Sequence, residues 1–142
     1  MRFMIIVKAT AASEAGVLPT SQELAEMGRF NEQMIDAGIM LAGEGVQASS
    51  KGNRVTFEHG KPLVTDGPFA ETKELLAGFW LIQVKDKAEA LEWCKRIPFR
   101  NGESVELRQV FEAADFPSDS VSKEHLDAEQ AWRDANEKPV TR

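Results

Sequence analysis

The sequence predicts an α+β domain in which a split βαβ pattern carries a hairpin between its two halves. Three observations lead to it. Two strand-like runs, Arg2–Lys8 (RFMIIVK) and Gly78–Val84 (GFWLIQV), are apolar on both faces, as expected of central strands. Two helix-like stretches open on Thr20 with Glu23 and on Asp86 with Glu89, the spacing of capping boxes. Two short strand-like runs flank His59-Gly60, which is hairpin-turn chemistry.

In the first strand Phe3, Ile5 and Val7 share one face, and Met4 and Ile6 share the other. Ala9–Pro19 reads as a loop. A helix over Ser21–Ala37 follows, with Leu24, Met27, Met34 and Ile35 as its apolar stripe. Gly38 is placed to end it in a left-handed conformation. Ile39–Gly45 reads as a strand and Ser49–Asn53 as a turn. Arg54–Glu58 and Pro62–Thr65 form the hairpin, and Asp66-Gly67-Pro68 is a further turn. In Gly78–Val84, Phe79 and Leu81 oppose Trp80, Ile82 and Val84. The second helix runs from Asp86 to Ile97 and is stopped by Pro98. Ser104–Val110 alternates and reads as a half-covered last strand. Two helices cover only one face of such a sheet. The other face is also apolar and calls for a cover, for which a second copy of the chain, a homodimer, is the simplest candidate.

The chain has 142 residues, enough for one cored domain with a tail. Residues 1–112 are read as that domain. Residues 113–142 are read as a C-terminal extension with seven acidic and four basic side chains. Ser122 is expected to cap a short helix reaching Ala135, with Val121 and Leu126 as a hydrophobic staple and a frayed end beyond. The single cysteine excludes an internal disulfide framework, and the net charge of −6 disfavours nucleic acid as a partner. With neither a spanning segment nor a signal peptide read, no membrane association is expected, and the cytoplasm is the expected compartment.

Several words of the sequence then carry a resemblance. Thr65–Glu74 (TDGPFAETKE) is similar to the signature of the DGPF branch of the YCII-related family. AGEG at Ala42–Gly45, GFWLI at Gly78–Ile82, ALEW at Ala90–Trp93 and SVELR at Ser104–Arg108 follow in family order. The resemblance covers about residues 1–112 and leaves the tail unmatched. It implies a ferredoxin-like subunit pairing through its sheet into a dimeric α/β barrel. It also implies an unidentified small-molecule ligand or, alternatively, a regulatory role beside an extracytoplasmic-function sigma factor. Classical members carry a histidine on the first helix; here that position falls near Glu26, which argues against histidine-dependent chemistry.

Asp66 leads the candidate site residues. A carboxylate beside Gly67-Pro68 could face a cleft and accept a proton, or simply fix the turn through its own backbone. Glu44, between Gly43 and Gly45, could partner it as acid and base, or stand exposed at a bulge. Lys73 and Thr72 could hold an anionic or carbonyl-bearing ligand with Glu71 beside them, or form a solvated charged turn. Phe69, Phe79 and Trp80 could supply an apolar wall, or be plain core. No cofactor is expected: Gly43–Ala48 matches a dinucleotide pattern by letters, but no helix follows it. No metal is expected either, because His59 and His125 lack ligand spacing. Cys94 reads as a small core residue.

Overall fold

The computed structural model describes every residue except Ser118, together with the side chains of all described residues other than Lys73, Ser120 and Val121. Its strands are β1 (Arg2–Lys8), β2 (Met40–Gly45), β3 (Asn53–Glu58), β4 (Lys61–Asp66), β5 (Leu76–Gln83) and β6 (Val105–Gln109). Its helices are α1 (Ala11–Glu14), α2 (Ser21–Asp36), α3 (Lys87–Lys95) and α4 (Ser120–Asn136). The result is a mixed α+β architecture. An antiparallel four-stranded sheet has the order β2-β5-β1-β6, and β3 and β4 form a separate two-stranded ribbon.

The helix boundaries follow from capping. Thr20 accepts from the Glu23 amide, and the Glu23 carboxylate accepts from the Thr20 amide at 2.7 Å. Gly38 has φ +69°, so the α2 exit rests on glycine's freedom there. At α3 the reciprocity is shifted. Asp86 accepts from the Glu89 amide at 2.9 Å, but the Glu89 carboxylate reaches back to the Lys85 amide. The stretch expected as a loop before Pro19 contains α1, because Thr10 and Ser13 cap each other reciprocally. The last helix starts earlier than expected. Asp119 accepts from the Ser122 amide at 2.8 Å, so Ser122 closes the box from inside the helix. Val121 of the proposed staple lies outside the described side chains.

The pleat sorts the sheet into two faces. Phe3, Ile5, Trp80 and Ile82 are buried against Phe30 and Met34 of α2 and Ala90 and Trp93 of α3. Each such burial of a large side chain stabilises by about 1.5–3 kcal/mol. On the opposite face the register lines up Ala42, Leu81, Met4 and Arg108 in one row. Glu44, Phe79, Ile6 and Glu106 form the next. The apolar members of these rows are only half-buried.

The C-terminal segment returns to this open face. Arg2, on the same side of β1 as Met4, is 7% exposed. It is gripped by Glu112 and Glu137, each at 3.0 Å, and donates to the Phe111 carbonyl. The hydrogen bond and charge of Glu112 push its already high pKa further up. Beyond α4 the chain is tied rather than frayed. The Val140 amide donates to the Met40 carbonyl at 2.7 Å, and Arg142 pairs with Asp36 at 2.7 Å.

Candidate functional site

The signature segment leaves the β3–β4 ribbon at Asp66 and reaches β5 at Leu76. Its start is fixed by a close backbone approach. A Cβ on Gly67 would stand 1.7 Å from the Ser49 carbonyl oxygen, so only glycine fits. The Gly67 amide donates to the Gly52 carbonyl at 2.9 Å, and the Gly67–Pro68 peptide is cis. One residue further, the Phe69 amide donates to the Ser49 hydroxyl oxygen at 3.1 Å. Ser49 is in turn held by Glu14, whose carboxylate accepts from its amide at 3.0 Å and from its hydroxyl at 2.5 Å. The Arg54 guanidinium lies 4.2 Å over the Phe69 ring, a cation–π contact that fixes the ring plane. The loop closes as a 3₁₀ turn at Thr72–Glu74. The Ala9 amide then donates to the Leu75 carbonyl, and Lys8 pairs with Glu74 at 3.7 Å.

This packing leaves a cavity of about 340 Å³ between the loop and the 47–52 segment. Phe69, Leu75 and Leu76 make its apolar wall; Gln47, Ser49 and Lys51 supply polar groups. The Ser49 hydroxyl is committed to Glu14 and to the Phe69 amide. The side chains of Gln47 and Lys51 make no hydrogen bond or ion pair among the described residues, so a ligand's polar groups could meet them. A few polar groups on an apolar wall of this size suit a small molecule.

The expected site residues separate. Phe69 lines the cavity. Asp66 is exposed at the end of β4, opposite Asn53, and accepts from the Asn53 side-chain amide at 2.6 Å. It clasps the open end of the ribbon. Glu44 stands exposed on the open sheet face, paired in register with Phe79. Neither carboxylate lines this cavity. Glu71 and Thr72 belong to the turn that closes the loop, and Lys73's side chain lies outside the described residues.

Trp80 does not wall the site. It is 6% exposed on the helix-covered face, edge-on to Phe30 with ring centroids 5.7 Å apart, and its Nε1 donates to Asn31 at 2.9 Å. The two-sided apolar pattern of β5 left its side open, and the pleat assigns it to the core.

Two of the sequence's conspicuous glycines are explained by packing. A Cβ on Gly43 would meet the Trp80 ring at 2.6 Å, and one on Gly78 would meet the Glu44 carbonyl at 2.7 Å. Glu14, Gln47, Ser49, Lys51 and Asn53 escaped the sequence reading as site residues. Glu14 and Ser49 lie 35 positions apart, and no local motif links them. Glu26, where the family histidine would fall, pairs with Arg100 at 3.5 Å on the surface of α2. Cys94 is half-buried, and burial pushes its thiol pKa up, as fits a packing residue rather than a nucleophile.

A second cleft, of about 420 Å³, lies between the sheet and α4. It is lined by Met4 and Arg108 of the open face, by Leu126 and Arg133 of α4, and by Phe111 and Phe116, whose ring centroids are 5.1 Å apart. Arg133 is paired with Glu129. Among the described residues there is no group of three or more His, Cys, Asp or Glu side chains placed to hold a metal, and no helix is long and apolar enough to cross a membrane.

An uncharacterised protein of Rhizobium meliloti (strain 1021) is 40% identical over 69 residues, which is 44% of this chain and 56% of that relative's length. This chain therefore matches little more than half of the curated relative. Among solved structures, 5-chloro-2-hydroxyhydroquinone dehydrochlorinase (TftG) from Burkholderia phenoliruptrix AC1100, in complex with 2,5-dihydroxybenzoquinone, matches with a TM-score of 0.42 and 12% identity. That match covers 82% of this chain and all of that one. The model of the YCII-related domain matches residues 1–114, four-fifths of the sequence, so the chain belongs to the YCII-related family.

Proposed function

We propose that this chain is a small-molecule-binding YCII domain of the DGPF type, and that its ligand sits against the signature loop. The observation that carries the reading is the cavity whose apolar side is built by Phe69, Leu75 and Leu76 and whose opposite side offers Lys51 and Gln47. A flat ligand with one anionic or carbonyl group matches that division, with Lys51 as the charge partner. In this reading Thr72, Glu71 and Lys73 shape the loop. Asp66 acts through Asn53 as a clasp. Neither Asp66 nor Glu44 lines the cavity, so this reading gives proton transfer to neither of them.

We further propose that the open sheet face is covered by a second copy in a dimeric barrel. The half-buried Ala42, Ile6, Phe79 and Leu81 support this pairing, because a row of such side chains is stabilised when water is excluded from it. The segment after residue 112 serves in this reading as an appendage held by Arg2. No feature among the described residues favours a sigma factor over a second copy as partner.

The binding proposal is tested by titrating benzoate, a flat aromatic carboxylate, into the ¹⁵N-labelled chain. Saturable shifts are expected at the amides of Gln47, Ser49, Lys51 and Phe69. Lys51→Met is expected to weaken them about tenfold, the size of one charge-assisted contact. Saturable shifts confined to other parts of the chain, or none at all, would remove the cavity from consideration as this site.

A further inference from the structure

The β3–β4 ribbon is exposed along its whole length. Its register places Asn53, Val55, Phe57, Pro62, Val64 and Asp66 on one side, and Arg54, Thr56, Glu58, Lys61, Leu63 and Thr65 on the other. Beyond the polar Asn53–Asp66 pair at its open end, the first side is apolar, yet Val55 is 51%, Phe57 74% and Val64 61% exposed. The second is polar apart from Leu63. An isolated two-stranded ribbon is marginally stable at best in water. An alternation that presents its apolar side to solvent is the pattern of a surface awaiting a partner.

We infer that this ribbon is an intersubunit arm that lays its Val55–Phe57–Pro62–Val64 side on a second copy of the chain. The inference rests on the pairing proposed above and adds the element that secures it. Four features of the chain favour a second copy as occupant. The chain itself carries a seat continuous with that pairing: the edge strand β2, with Ala42 and Glu44, borders the Leu81, Phe79 and Ile6 patch of the open face that the paired sheets cover, so an arm can lie along its rim. The arm is inserted in the chain between β2 and β5, which are neighbours at that edge of the sheet.

Charge also matches. Glu44 on that face and Lys61 at the arm's turn each make no ion pair among the described residues, and a second copy could join them. The area suffices as well. Four such side chains expose on the order of 400 Å² per arm. A two-fold pair that gives and receives one arm each would bury about 1,600 Å² in total, the size of a standard stable interface.

The test is sedimentation equilibrium of the full-length chain and of the double variant Phe57→Ser/Val64→Ser, with Leu63→Ser on the other side of the ribbon as control. These positions are exposed, so the variants are expected to keep the wild-type circular dichroism spectrum; should the double variant not fold, Phe57→Ser alone replaces it. The expected result is a wild-type dimer, about 30-fold weaker association for the double variant, and little change for Leu63→Ser. A wild-type dimer whose association the double variant leaves intact overturns the arm while the sheet-face pairing stands. Equal weakening by Leu63→Ser also overturns the assignment of the apolar side. A wild-type chain that stays monomeric overturns both the arm and the pairing.

Discussion

The four-stranded sheet and the β3–β4 ribbon are made of similar residues and end up in opposite surroundings. Phe3, Ile5 and Ile82 sit against two helices and are essentially sealed from water. Val55, Phe57 and Val64 have β-forming side chains of the same kind and face solvent. Strand propensity therefore fixes the local conformation in both places, but burial decides what each strand is for. The sheet holds the subunit together. The ribbon anchors the signature loop at one end and offers an unspent apolar side at the other.

The largest effect that would sharpen this contrast comes from the sealed face. Phe3→Ala should destabilise the chain by about 3–5 kcal/mol in urea unfolding, whereas Phe57→Ala should change the stability of the single chain by less than about 0.5 kcal/mol. Comparable losses at both positions would break the distinction.

Next is the Arg2 clamp. Arg2→Met leaves Glu112 and Glu137 facing a site that has lost its cation. Both carboxylates keep some access to water, so a loss of about 2 kcal/mol is expected rather than the full cost of a stranded buried charge. Faster proteolysis after residue 112 should accompany it.

A smaller effect is expected for the residue that leads the sequence reading. Asp66→Ala removes the bond from Asn53, and exposure limits the cost to about 0.5–1 kcal/mol. Benzoate binding should stay within twofold of wild type. A large loss of binding with unchanged stability would return Asp66 to the site.

The smallest effect concerns the α2 cap. Bonds to the amide and hydroxyl of Thr20, aided by Arg100, hold the Glu23 pKa below its ordinary value. Such a group stabilises the fold above its unfolded-state pKa, and that share is lost as pH falls through the lowered value. Glu23→Gln should therefore flatten the acid side of the stability profile and leave the neutral side less stable. An unchanged acid slope would contradict the assignment.

Much of the fold was legible because it is written in short-range chemistry. The Thr20–Glu23 box, Gly38, the His59-Gly60 turn and the alternation of Gly78–Val84 each speak within a few residues. The site was less legible for the converse reason. TDGPF announced that the loop matters, but its partners are Ser49, Gly52 and Glu14, brought from distant positions by the tertiary fold. Gly67 looked like turn chemistry; its requirement is the carbonyl of Ser49 pressed against it. Trp80 was ambiguous because both faces of β5 are apolar, and only the positions of α2 and α3 choose between them.

The contrast between the two regions is tested most directly by amide hydrogen exchange of the wild-type chain, dilute and concentrated. The amides of β1 and β5 should be equally protected at both concentrations, while those of β3 and β4 should gain protection as concentration rises and the exposed ribbon finds its cover. Ribbon amides that exchange freely at every concentration, or that are already as protected as the sheet when dilute, would contradict the account.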